Sequence, residues 1–324
     1  MAQSLTELGS WNGESVTAGQ VLDALGGLRH GEQRTATRTA VVNLVVVAAT
    51  EEEASRAGEA IRRMAGRHPG RTIVLLCDRS RSGPIDAGVS LHELAADGER
   101  VWWEDISLQV KGKAVDHLDS LVEPLTLGDL PVVVWFVGRP VGGSDPLLGA
   151  ADAVIVDSRG AGGPSVFGTF SELTSRRVVV DLSWIRLRPW RLLLAGLFDG
   201  VAYRPFVHAV VSAAVTGKAG PRHLLAGWLA SRLGLSRSHF HQEDSRHASM
   251  TLDSDVGGRR GRFAVERDEG ARLVHASADV DGGPAHREVM SLPDDSLPWS
   301  LAEAITHLSR DPVYDEALAM AAAF

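Results

Sequence analysis

The stretch 181–192, DLSWIRLRPWRL, sets Trp184 and Trp190 among Arg186, Arg188 and Arg191. Guanidinium and indole groups at this density can do three kinds of work. They stack on one another as an internal brace, they anchor a protein–protein interface, or, in basic surroundings, they hold single-stranded nucleic acid. Catalysis would need a nucleophile or general base, and nearby stand only Asp181 and Asp199. Pro189 suits the first position of a helix through PWRLLLAGLFD, and the residue before a proline favours extended backbone. Along an extended segment from Ser183, Trp184, Arg186 and Arg188 share one side, and Ile185 and Leu187 the other. The expectation is that Ile185 and Leu187 pack inward. Trp184, Arg186 and Arg188, with Trp190 and Arg191, then face a partner protein; the internal brace is the competing reading.

A second candidate is the loop RGAGGPSVFG, with Arg159, Gly160, Gly162, Gly163 and Ser165. It follows a strand and precedes a helix, whose N-terminus favours an anion. It lacks the spacing of either nucleotide fingerprint, and Ser165 lacks the glycine of a nucleophile elbow. An anion cradle and a plain surface loop both remain open. The first strand-to-helix turn, AATEEEAS, has no glycine and three glutamates, so a pyrophosphate is not expected there. His239, His241, Glu243, Asp244 and His247 contain a His-x-His pair, a zinc-ligand spacing, but the segment reads as a solvated loop. Glu104 and Asp105 are adjacent and so point to opposite faces of a strand, poor geometry for paired-carboxylate chemistry. No catalytic residue, metal site or cofactor is expected.

The 324-residue chain carries a net charge of −8, which argues against broad attraction to nucleic acid. No apolar run is long enough to span a bilayer. The N-terminal residues lack a basic start followed by an apolar run, so a cytoplasmic protein is expected. Cys77 is the single cysteine. No intrachain disulfide can form, and in the run TIVLLCD it reads as a small buried hydrophobe.

Hydrophobic patterning supplies the elements that would position these residues. AVVNLVVVAA is a strand apolar on both faces. Thr50 and Glu53 make a capping-box pattern opening a helix over 51–67. Strands at RTIVLLCD, RVWWEDISLQV, PVVVWFVG, AVIVD and RVVVDLS alternate with helical segments, the pattern of a mostly parallel sheet covered by helices. After about residue 200, a helix at PRHLLAGWLASRLGL and four runs between ASMTLDS and HREVMSL predict a smaller α+β domain with antiparallel strands. Two helices broken at Asp311-Pro312 close it. The expected division is 1–200, with a short N-terminal extension, and 201–324.

Ordered blocks, TRTAVVNLVVV, RHPGRTIVLL, SLVEPLTLGDLPVVVWFVG, VIVDSR and DLSWIRLRPWRLLLAGLFD, with weaker ones at LLAGWLASRLG and DPVYDEAL, resemble the OpcA family of glucose-6-phosphate dehydrogenase assembly proteins. The resemblance covers most of the chain. It implies a non-catalytic partner that binds glucose-6-phosphate dehydrogenase and promotes its assembly or activity in the oxidative pentose phosphate pathway, with no catalytic residues to carry over. Some family members are associated with redox control, which Cys77 alone cannot supply through an intrachain disulfide. The alternative is a sugar-phosphate-binding enzyme or metabolite sensor using the loop 159–165.

Overall fold

The computed structural model describes residues 4–30, 40–64, 68–96, 99–138, 141–160, 163–268 and 272–324. In chain order its strands and α-helices are β1 (Ser4–Gly13), α1 (Ala18–His30), β2 (Val42–Ala48), α2 (Glu51–Met64), β3 (Gly70–Asp78), β4 (Asp86–Ala96), β5 (Glu99–Lys111), α3 (Leu118–Val122), β6 (Val132–Phe136), β7 (Ala153–Val156), α4 (Pro164–Thr174) and β8 (Val178–Asp181). There follow α5 (Leu182–Arg186), α6 (Arg188–Leu197), β9 (Val210–Gly217), α7 (Ala219–Leu233), β10 (Phe240–Asp244), β11 (Ser249–Val256), β12 (Arg259–Arg267), β13 (Leu273–Val280), β14 (His286–Ser291), α8 (Leu297–Thr306) and α9 (Pro312–Ala321). Short 3-10 turns link several of them.

Two compact units result. One comprises 1–156, 176–180 and 296–309, the other 157–175, 181–295 and 310–324. The chain passes between them repeatedly, so a single cut at residue 200 coincides with neither unit. The C-terminal helices divide the same way: α8 belongs to the first unit and α9 to the second.

The larger sheet has the order β1-β4-β5-β3-β2-β6-β7-β8. From β5 through β7 the pairings are parallel; β1 and β4 add an antiparallel edge. All seven residues of β2 are buried, as the unbroken apolar run requires of a strand covered on both faces. Thr50 Oγ1 accepts the Glu53 amide at 3.2 Å, and the Glu53 carboxylate accepts the Ala49 amide at 2.9 Å. This is close to the expected capping box, though the return bond goes one residue further back. The helix ends at Met64 within the described residues; the expected continuation over 65–67 lies outside them. α2 packs on β2 and β3, and α8 packs on α2. Glu104 and Asp105 do point apart. Glu104 is buried between Arg71, at 2.7 Å, and Arg29 of α1, while Asp105 accepts the Trp103 indole N–H at 2.6 Å. Cys77 is buried.

The second sheet runs β10-β9-β11-β12-β13-β14. β11 to β14 are antiparallel, as patterned, and β9 joins them through β11. The segment expected as a solvated loop, with His239, His241, Glu243, Asp244 and His247, instead contains β10, which pairs with β9 in parallel. Its polar sequence suits an edge strand, whose outer side stays in water. Glycines allow the close helix contacts here: a Cβ on Gly227 of α7 would fall 2.2 Å from the Ala317 carbonyl oxygen of α9.

Candidate functional site

The tryptophan–arginine stretch is helical, not extended. Asp181 caps α5, its Oδ1 accepting the Ser183 amide at 2.8 Å. α6 follows after Leu187, with Pro189 in its first turn. Helical periodicity replaces the expected two-sided alternation, and the inside and outside change accordingly. Trp184, Arg186 and Trp190 are buried, as is Leu187; Ile185 is only half-buried. Arg188 is exposed and Arg191 half-buried. The expectation that Trp184 and Arg186 face outward with Arg188 is thus corrected.

Each buried group has an internal partner. The Trp184 indole N–H donates to Asp311 Oδ2 at 2.7 Å, and the same carboxylate caps α9 by accepting the Val313 and Tyr314 amides. The Arg191 guanidinium lies 3.3 Å above the centroid of the Trp184 ring and donates to the Trp184 carbonyl at 3.1 Å. The Trp190 indole donates to the Ala248 carbonyl at 2.9 Å. Arg186 pairs with Asp157 at 2.9 Å, and Ser183 Oγ donates to the same carboxylate at 2.7 Å. The Tyr314 hydroxyl donates to Asp181 Oδ2 at 3.3 Å.

The electrostatics follow from burial. Asp181 has its pKa pushed up to about 6, first by desolvation and then by the neighbouring Asp157 charge, against amide hydrogen bonds from Ser158 and Ser183. Burial also raises Asp157, but the Arg186 charge and hydrogen bonds from Arg186 and Ser183 outweigh it and leave its pKa lowered. Burial brings Arg191 down to about 10 against the pull of Asp311. Tyr314 is driven well above its ordinary value by desolvation and by Asp181. A raised carboxylate beside a tyrosine resembles an acid–base pair, but Asp181 and Tyr314 are each 1% exposed. A substrate cannot reach them, and the cluster acts as a brace.

The loop candidate is placed as the sequence suggests. Arg159 and Gly160 lie in an exposed 3-10 turn, Gly163 is the N-cap of α4, and Ser165 is exposed in its first turn. Gly162 lies outside the described residues. Desolvation, then the Arg186 charge, lowers the Arg159 pKa. A Cβ on Gly220 would sit 1.7 Å from the Ser158 carbonyl, so the 3-10 turn rests directly on α7. Sequence patterning missed the role of Asp311: its carboxylate joins the cap of α9 to the Trp184 indole. The Asp-Pro pair signalled the helix start but not the second partner.

Comparison with known proteins places this architecture. Residues 61–174 match the model of the glucose-6-phosphate dehydrogenase subunit N-terminal domain, and residues 177–318 that of its C-terminal domain, the OpcA family models. The chain belongs to the OpcA family. The division between the two matches falls beside β8. A relative from Nostoc punctiforme, described as a putative OxPP cycle protein OpcA, is 23% identical over 306 residues, covering 79% of this chain and 65% of its own length. This OpcA-family chain therefore spans about two thirds of that relative. A solved oxidoreductase from Sinorhizobium meliloti overlaps 87% of this chain and 95% of its own, at 10% identity and a TM-score of 0.43. Among the described residues, no helix is long and apolar enough to cross a membrane.

Proposed function

We propose that this OpcA-family chain is a non-catalytic partner of glucose-6-phosphate dehydrogenase in the oxidative pentose phosphate pathway, acting in the cytoplasm to favour the enzyme's assembled, active state. The observation that carries the reading is the consecutive match of both family domains along one chain. Two features of the molecule support a role without chemistry of its own. The acidic first turn at Glu51, Glu52 and Glu53 occupies the place where a dinucleotide pyrophosphate would otherwise sit. The buried Asp181–Tyr314 pair is closed to substrate.

The physical mechanism is linkage: a protein that binds the assembled enzyme better than its dissociated or inactive form shifts the population toward the former. Of the stretch 181–192, Arg188 and Leu192 remain free to touch a partner, because both are exposed. The test is co-purification with the dehydrogenase of the same cell, followed by sedimentation and nicotinamide reduction assays. The expected result is a stable complex, a larger fraction of assembled enzyme and higher activity, with no reduction by the isolated chain. Absence of any complex at micromolar concentrations of both proteins, or turnover by the isolated chain, would overturn the reading.

A further inference from the structure

We propose that the carboxyl edge of the larger sheet holds a binding site for a small phosphate-bearing molecule, gripped by Arg79, Arg81, Lys111 and Lys113. β3 and β5 are parallel neighbours whose ends lie in register, Asp78 opposite Lys111. The loop leaving β3 and the turn leaving β5 therefore rise from the same edge. Gly112 makes that turn with φ +59°, and a Cβ there would lie 3.0 Å from the Arg81 carbonyl oxygen. This close approach lays residues 79–83 beside 111–113. Together they line an open depression of about 620 Å³, a volume large enough for a small molecule.

Charge narrows the ligand class. The lining holds four cations against one carboxylate, Asp116. Arg79 pairs with Asp116, and Lys111 Nζ lies 2.6 Å from Asp86 Oδ2. Arg81 and Lys113 are exposed and form no salt bridge among the described residues. The nearby Asp78 carboxylate accepts the Ser80 amide at 2.9 Å and the Ser80 hydroxyl at 2.6 Å, and it also feels the Arg81 charge, so Arg81 is partly balanced. Like charges converging on a concavity concentrate a field that an anion relieves. The Arg81 guanidinium fork and the Lys113 ammonium, with the carboxylate-paired Arg79 and Lys111 lining the same depression, match the several acceptor oxygens and double charge of a phosphate better than a single carboxylate. The neighbouring edge of the same sheet has the opposite character: at Gly138 after β6, a Cβ would meet Glu53 Oε1 at 2.0 Å, so that edge is already occupied by a carboxylate.

The test is calorimetric titration of the full chain with inorganic phosphate, pyrophosphate, a hexose 6-phosphate and the free hexose. Saturable binding of the phosphorylated probes and none of the free hexose is expected, with pyrophosphate or the hexose phosphate tighter than phosphate alone. Hexose phosphate binding more tightly than pyrophosphate points to a metabolite; the reverse order points to free polyphosphate, and either result upholds the site. The double variant Arg81→Glu and Lys113→Glu should weaken binding by at least about tenfold with an unchanged melting temperature, because both side chains are exposed. A matched double variant, Arg62→Glu and Arg237→Glu, should bind normally. Three results overturn the proposal: no saturable binding of any phosphorylated probe, equal loss in the matched variant, or binding of a glutamate-rich peptide with none of phosphate.

Discussion

Arg191 lies over Trp184, its guanidinium carbon 3.3 Å from the ring centroid, while the indole N–H of Trp184 is tied to Asp311. One aromatic side chain thus joins the start of α6 to the cap of α9. The pairing makes the stretch a structural brace. Trp184→Ala should lower stability by about 3–5 kcal/mol, the range for removing a core aromatic. Arg191→Ala should cost about 2 kcal/mol, the scale of a desolvated cation–π contact. Thermal and denaturant melts check both. A Trp184→Ala variant melting like the parent would remove the brace from the account.

The buried Asp181 should leave a signature in the pH dependence of stability. Its folded pKa of about 6 lies above the ordinary aspartate value of 3.8, so the folded state binds this proton more tightly than the unfolded chain. The group therefore favours folding most below pH 4, loses that advantage as pH rises through 6, and gives a span of roughly 3 kcal/mol. Asp157 has the opposite sign: its lowered pKa stabilises above the unfolded value and is lost in stronger acid. The Asp181→Asn variant keeps an acceptor for the Ser158 and Ser183 amides. It should flatten the stability profile between about pH 4 and 6, measured by denaturant melts at each pH. An unchanged slope there would assign it to other groups.

Two glycines in helices should respond in opposite directions to the same substitution. In Gly227→Ala the new methyl meets the Ala317 carbonyl oxygen at 2.2 Å and the Ala321 amide nitrogen at 2.8 Å. Backbone cannot yield as a side-chain tip can, so a loss of about 1–3 kcal/mol is expected. Gly168 of α4 has no such neighbour within 4 Å, and Gly168→Ala should gain about 0.5–1 kcal/mol from helix propensity. Melting temperatures of the two variants, moving apart around the parent, are the readout.

Strands with a continuous apolar run or a clean alternation were legible in the sequence, the edge strands β8 and β14 included, whereas the edge strands β1 and β10 were not. β2 and β6 are apolar because both faces are covered. β1 is half-exposed, and its register shifts between Glu7 and Gly9, which interrupts the alternation a strand would show. β10 is polar because it has one strand neighbour and water on the other side. β4 carries a period of two, with Ala87, Val89 and Leu91 buried, but the glycine and proline before it blur its start. At the candidate site the residue types were informative and the geometry was not. The extended bias of the residue before Pro189 was overridden because Asp181 caps a helix directly after β8, which carries Arg188 into helical backbone. The partners Asp311 and Tyr314 lie more than a hundred residues downstream, beyond the reach of any local pattern.

The exposed remainder of the stretch carries the docking prediction. Arg188 and Leu192 stand four residues apart on α6 and so share one helical face. Leu192 is 54% exposed, an apolar side chain whose burial in a complex would release water. Neither is held by the brace, so substitution should separate binding from folding. The double variant Arg188→Ala and Leu192→Ala is expected to weaken association with the dehydrogenase by about 2 kcal/mol, roughly thirtyfold, if the pair forms an interface anchor. Its melting temperature should stay within a degree or so of the parent, as for surface changes generally. Arg186→Ala should show the converse, early melting through loss of the Asp157 partner, with binding retained at temperatures where the chain stays folded. Affinity by calorimetry and melting by circular dichroism, on the same preparations, decide the matter. Normal binding by the Arg188–Leu192 variant would move the partner surface off α6 altogether.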